Sequence, residues 1–377
     1  MAIRRKLIAG IASLLTFVFN GVVQAASDLN MRPGVTETSN EAFNLHMMVV
    51  WVMVAISVVV FGAMIYSFIF HRKSKHPTPA KFSHSTLVEM IWTIIPILIL
   101  IYLTIPAVKL LIKMEDASNP EMSIQVTGSQ WKWHYKYLEH DVDFFSNLDR
   151  SLTEKDENYL LEVDNALIIP ADTKVRFLVT ASDVIHSWWV PDLAVKKDAI
   201  PGFINETWTS IPAEHAGKTF RGQCTELCGK DHGFMPVVVK VLSKADFKAW
   251  LAQKDEERIA AEKAAAEAAA QSWDMEKLMT LGKEVYDAKC GMCHQANGLG
   301  LPPAFPALKD SPIALGPVEA HIDIVVNGKS GTGMAAYGPQ LTDAELAAVI
   351  TYERNAWENN TGDKVQPADI QAFKAGN

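Results

Sequence analysis

Cysteine is scarce. The 377 residues hold only four, at 224, 228, 290 and 293, and a chain this long with so few is not a disulfide scaffold. Their spacing, C-x3-C and C-x2-C, reads as metal or cofactor chemistry instead. A basic excess is missing too. Acidic residues number 43 against 35 basic, a formal charge of −8, which argues against nucleic acid and for a basic partner. Charged residues make up only 21% and hydrophobic residues 49%. That excludes a disordered or low-complexity chain. Internal repeats are absent. The length suits two to three domains.

The apolar residues are unevenly spread. Residues 1–26 read as a signal peptide: Arg4, Arg5 and Lys6, then a mostly apolar stretch over 7–18. Small residues before a cut after Ala25 or Ala26 complete the pattern. A retained first membrane helix is the alternative, but the apolar stretch is short. Residues 43–70 contain no Lys, Arg, Asp or Glu, and neither do residues 90–108. Each is long enough to cross a hydrocarbon core of roughly 30 Å. They predict a two-helix hairpin over 41–113. The loop 71–82 carries Arg72, Lys73, Lys75 and Lys81 and no acid. The positive-inside rule makes it cytoplasmic, so everything after about residue 116 lies outside. Glu89, at the start of the second span, is either an exposed helix-end carboxylate or a functional one.

Residues 116–250 read as an all-β domain. Residues 123–127, 159–163, 174–180 and 237–242 are rich in β-branched and apolar side chains, and turn residues separate them. Short strands of this kind predict a sandwich or small barrel. Residues 251–272 change character, with nine alanines in the twenty residues 252–271 and mostly charges besides. They predict a helical spacer, about 30 Å long if fully helical. Residues 273–360 form a third, all-α unit. Helices are expected over 275–289 and 318–326, and a last one begins at Thr342 with Glu345 as its capping partner. Residues 361–377 read as a tail.

Two motifs carry the chemistry. Cys224, Cys228, His232 and Met235 fall within twelve residues, and His186 lies upstream in SDVIHSWWVP. Thiolate, imidazole and thioether are the soft set that suits copper, and Met is a poor zinc ligand. A mononuclear blue-copper site needs only one thiolate. Two on one loop can bridge two ions, which favours fast one-electron transfer over substrate chemistry. A Cys224–Cys228 disulfide is the competing reading in an oxidising compartment. The second motif, Cys290-Gly-Met-Cys293-His294, is the c-type haem attachment pattern. The thiols bond the porphyrin and His294 sits under the iron. Met334, on a Gly-rich loop, is the expected sixth ligand, with His321 as the alternative. Met/His ligation raises the potential.

The chain from 41 to 242 resembles cytochrome c oxidase subunit II. The two spans, then GSQWKWHYKY, SDVIHSWWVP, KKDAIPGF and RGQCTELCGKDHGFMP, follow that family's pattern in its order. The resemblance implies a cupredoxin-like Greek-key barrel holding the binuclear centre called copper A. It implies His186, Cys224, Cys228, His232, Met235 and the backbone carbonyl of Glu226 as ligands. It also implies a magnesium ion at the Glu226 side chain, shared with subunit I. Glu89, in LVEMIWTIIP, matches the carboxylate at a proton-uptake path, and Trp131 matches the aromatic through which electrons reach copper. One departure stands out: Lys132 occupies a position where an aromatic is commoner, with Ser129 nearby in place of His. Residues 275–356 resemble a class I cytochrome c.

The expected whole is a multidomain bacterial inner-membrane protein with its copper and haem domains on the periplasmic side. It would pass electrons from cytochrome c, or another soluble donor, through haem c and copper A to subunit I of an oxidase. Subunit III and membrane lipid would be further partners. A copper-containing nitric oxide reductase subunit and a membrane-anchored electron shuttle are the alternatives. Nitrous oxide reductase needs a His-rich cluster that eleven histidines do not supply. Quinol-oxidase subunit II lacks the copper ligands.

Overall fold

The computed structural model describes residues 30–78, 81–303, 305–329 and 332–376. The expected signal peptide lies outside them. The chain divides into two units, one of residues 1–115 with 191–194, the other of 116–190 with 195–377.

The first unit is built on two long antiparallel helices, α1 (Glu37–Phe70) and α2 (Thr86–Glu115). Thr36 caps α1 through a capping box with Ser39, which satisfies amide groups that the first turn leaves open. At the same end, Lys113 of α2 reaches Glu37 at 2.6 Å and Glu41 at 2.7 Å. These charges flank the apolar stretches and do not interrupt them. Side chains such as Trp51, Phe61, Phe68, Leu98 and Ile101 stand exposed along both helices. That is the outward face expected of helices whose solvent is lipid. Each helix is long and apolar enough to span a membrane.

The second unit begins with ten strands in two five-stranded sheets. The first sheet runs β3 (Val142–Ser146), β2 (Lys132–Tyr137), β1 (Met122–Ser129), β5 (Val175–Ala181), β8 (Asn205–Thr209). The second runs β4 (Leu167–Pro170), β10 (Pro236–Leu242), β9 (Thr219–Cys224), β6 (His186–Val190), β7 (Val195–Ala199). Alternate residues of β5 are buried, so Phe177 and Val179 face inward by the two-residue period of a strand. Between the sheets, Phe177 packs on Trp188 with ring centroids 4.8 Å apart. Trp188 donates its indole N–H to the Tyr135 hydroxyl at 3.2 Å. Pairing buried aromatics in this way meets their polar groups without opening the core to water.

One expected strand is absent. Residues 159–160 are part of a turn, Leu160 has a φ of 62°, and Val163 makes only an isolated antiparallel bridge to Leu148. The Tyr159 amide donates to the Asp156 carbonyl at 3.1 Å and the Leu161 amide to the Asn158 carbonyl at 2.9 Å, and these local bonds stand where ladder bonds would. The strand that fills the role is β4, which begins at Leu167.

The Ala-rich helix is longer than its composition announced. It starts inside the expected β domain, as α3 (Lys244–Ala269), capped by Ser243. Phe247 and Trp250 of its first turns pack on Tyr137 of β2, at 6.5 and 5.4 Å. The helical unit follows: α4 (Met275–Val285), α5 (Val318–Asn327), α6 (Asp343–Asn355) and α7 (Pro367–Gly376). α4 stops short of residue 289 because residues Tyr286–Cys290 widen into a π turn. The capping box of Thr342 and Glu345 is in place. Gly282 lets α4 and α6 cross closely, since a Cβ there would meet the Ala348 carbonyl at 2.2 Å. The expected tail is part of this core: Val365 and Ile370 are buried in it. Leu346 is fully buried at its centre. Leu346→Ala is expected to cost about 2–5 kcal/mol, read as an earlier denaturant midpoint for the helical unit.

Candidate metal and haem sites

Strand direction gathers the first site. β6 runs antiparallel to β9, and β9 antiparallel to β10. The start of β6, the end of β9 and the start of β10 therefore share one end of the sheet. His186 opens β6, Cys224 closes β9, and Cys228, His232 and Met235 occupy the connection into β10.

The five side chains converge on two sulfurs. Cys224 Sγ lies 3.9 Å from Cys228 Sγ and 4.0 Å from His186 Nδ1. Cys228 Sγ lies 3.5 Å from His232 Nδ1 and 3.5 Å from Met235 Sδ. The Cys224 thiol also donates to the Glu226 carbonyl at 3.3 Å, while the Glu226 side chain is exposed. Ligand atoms of His186, Cys224 and Cys228 all fall within 4.8 Å of one another. Both cysteines are free thiols and buried. The disulfide alternative is not what the structure shows. Burial pushes the Cys224 thiol up, but the His186 imidazole and the Ser187 and Glu226 backbone pull it down to about 7. Burial and the adjacent Cys224 sulfur push Cys228 up to about 12. The first proton leaves easily, and a cation is needed to remove the second. Buried soft donors in this arrangement fit a pair of copper ions.

Neighbouring groups hold these donors in place. Asp183 accepts from His186 Nε2 at 2.9 Å and from the Gln130 and Val184 amides at 2.7 Å each. This leaves Nδ1 of the ring turned to the sulfurs, the usual carboxylate–histidine arrangement of metal ligands. Burial opposes the Asp183 charge, but His186 and the two amides keep its carboxyl below the ordinary range. Gly128 makes room for the ring: a Cβ there would stand 2.9 Å from His186 Cδ2. Trp131 donates its indole N–H to the Cys228 carbonyl at 3.3 Å, and Gln130 Nε2 donates to the same oxygen at 2.8 Å.

The second site is a cavity of about 320 Å³ in the helical unit. Cys290, Cys293, His294, His321, Met334, Tyr337 and Glu353 are among its walls. His294 Nδ1 lies 2.9 Å from the Pro306 carbonyl. A carbonyl only accepts, so Nδ1 carries the proton and Nε2 keeps the lone pair a metal needs. Burial pushes both Cys290 and Cys293 thiols up. His321 Nε2 pairs with Glu353 Oε2 at 2.9 Å, both buried. An apolar cavity with two thiols and a pre-set imidazole on its wall fits a covalently attached haem.

Glu89 lies in the first turn of α2 with its side chain exposed. The composition gave no hint of Asp183, Gly128, Gln130 or Glu353. A spacing of three from His186 is the only pattern that touches Asp183.

The family model described as cytochrome c oxidase subunit II, periplasmic domain, matches residues 122–242, and its transmembrane-domain counterpart matches 24–110. The probable cytochrome c oxidase subunit 2 of Rickettsia bellii (strain RML369-C) is 42% identical over 230 residues, 60% of this chain and 84% of the relative. The chain belongs to the cytochrome c oxidase subunit II family. The cytochrome c oxidase subunit 2 of Cyanidium caldarium is 37% identical over 218 residues, 56% of this chain and 84% of that one. Among solved structures, the periplasmic domain of subunit II (CoxB) of Bradyrhizobium japonicum is 37% identical. It covers 37% of this chain and 98% of its own, with a TM-score of 0.34. Residues 277–352 match a further model, described as cytochrome c oxidase, cbb3-type, subunit III. This subunit II therefore carries a cytochrome c domain after its cupredoxin-like domain, and it is a membrane component of a haem–copper oxidase complex.

Proposed function

We propose that this chain is the electron-input subunit of a proton-translocating terminal oxidase in a bacterial inner membrane, with its outer domains on the periplasmic side. A copper A centre and a haem c, when bound, supply one-electron transfer from a soluble donor such as cytochrome c toward subunit I, where oxygen is reduced to water. His186, Cys224, Cys228, His232, Met235 and the Glu226 carbonyl would hold two copper ions. Cys290 and Cys293 would fasten the porphyrin, with His294 and Met334 as its axial ligands.

The other residues position and insulate. Asp183 fixes the His186 ring, and the buried sulfurs are kept from water. Trp131, bonded to the Cys228 carbonyl, is the proposed entry point for electrons. Glu89 is the proposed mouth of a proton path, the Glu226 carboxylate a proposed magnesium ligand against subunit I. Subunit III and lipid complete the surroundings.

One observation carries the reading: two free thiols 3.9 Å apart, each with an imidazole beside it. The test is metal analysis of the purified complex with its subunits identified. Two coppers and one iron assignable to this chain are expected, with a mixed-valence copper resonance. Fewer than two coppers here, or a catalytic subunit that does not reduce oxygen, would overturn it.

A further inference from the structure

Lys132 has a partner far along the chain. It opens β2 directly after Trp131. Its ammonium donates to Oε1 of Gln340, in the helical unit. It lies 4.9 Å from the ring centroid of Phe145 on β3 and 5.8 Å from that of Tyr337. Tyr337 is a wall of the haem cavity, and its hydroxyl donates at 3.1 Å to the carbonyl of Lys289, the residue before Cys290. Gln340 is also bonded to the Ala336 carbonyl, two residues from Met334. One lysine of the β domain thus grips a segment that lines the haem cavity.

This is an unusual place for the charge. A lysine at liberty keeps its head group in water while its stem lies on apolar surface. Here burial and the nearby Lys289 charge push the Lys132 ammonium down to about 8, with Asp183 acting the other way. Two ring faces and one amide oxygen offset the loss of hydration.

The same contacts give the orientation. The Tyr337–Lys289 contact places the residue before Cys290 next to the ring that Lys132 faces. The attachment end of the haem cavity thus lies toward Lys132. Lys230 sits 5.7 Å from the Trp131 ring centroid.

We propose that Lys132 is the docking residue that holds the haem domain, attachment edge inward, beside Trp131, so that this face of the copper domain is occupied by a tethered donor. The proposal rests on the function given above and adds how the two sites are kept in register. It makes Lys132 a positioning residue: it would ligate neither metal.

The test uses the full complex with Lys132→Met, which keeps the stem and removes the charge, and Lys132→Arg, which keeps the charge. Hydrogen exchange is followed over residues 130–134 and 336–341. In Lys132→Met both segments should exchange at least tenfold faster, while β9, β10 and α6 are unchanged. Electron transfer from haem to copper after flash reduction should slow at least tenfold, with copper and haem spectra unaltered. Lys132→Arg should recover most of both effects. Gln340→Ala, made from the other side of the contact, should reproduce the loss. Wild-type exchange over 336–341 in both Lys132→Met and Gln340→Ala would overturn the docking role. So would an unchanged transfer rate. A wild-type complex lacking copper or iron would instead overturn the functional reading, and the exchange comparison would still decide the contact.

Discussion

Cys224→Ser is expected to strip copper from the outer domain and leave the haem domain intact. Cys224 Sγ is the common neighbour of the site: His186, Cys228 and the Glu226 carbonyl all lie within 4.0 Å of it. A serine oxygen is hard and stays protonated, so it neither replaces a soft thiolate nor bridges two ions. Disturbing even a partner of a ligand typically costs about 10–100-fold in metal affinity, and losing the central donor should cost at least that. The haem cavity is walled by residues between 289 and 353, none of them from the copper loop. Iron content therefore serves as the internal standard. The measurement is copper per iron with the paramagnetic resonance of the purified complex. Wild-type copper content and resonance in the variant would remove Cys224 from the ligands.

The second large effect is expected at Met334. Met334→Ala should abolish the far-red Met–iron band and lower the haem potential. Thioether ligation favours the reduced iron, and axial ligands span roughly 0.8 V in protein haems. A fall on the order of 0.1 V is a modest share of that range. Attachment should survive, because Cys290, Cys293 and His294 are untouched. The check is a redox titration beside the optical spectrum. An unchanged band and potential would move the sixth ligand elsewhere. That result would point to His321, whose Nε2 is held by the Glu353 carboxylate and whose buried Nδ1 has no hydrogen-bond partner.

The contrast between these sites and their surroundings explains what could be read early. Cys224, Cys228, His232 and Met235 lie close along the chain, so their chemistry is a local pattern. The same holds for Cys290, Cys293 and His294, and for the uncharged helices α1 and α2. A capping box spans three residues, and that at Thr342 was legible for the same reason. What escaped is set by distance along the chain or by competition between local bonds. Lys132 and Gln340 are 208 residues apart, and no periodicity joins them. Asp183 looks like any turn acid until β6 brings His186 against it. Residues 159–163 have a strand's composition, yet turn bonds at Asp156 win. Ile370 reads as part of a polar tail and is buried because α7 closes over the helical core.

The helix α3 has one more consequence. It contains 26 residues, about 39 Å at 1.5 Å each. Aromatic packing fixes its first turns on Tyr137. At its far end Trp273 donates to the Ala268 carbonyl at 3.3 Å, and its amide donates to Gln366 Oε1 at 2.8 Å. A rod clamped at both ends transmits rotation as well as reach. With 3.6 residues per turn, each residue turns whatever follows by about 100°. The number of alanines is thus a compass setting for the haem, and a single one gained or lost would swing its bearing by more than a quarter circle while leaving the composition almost unaltered.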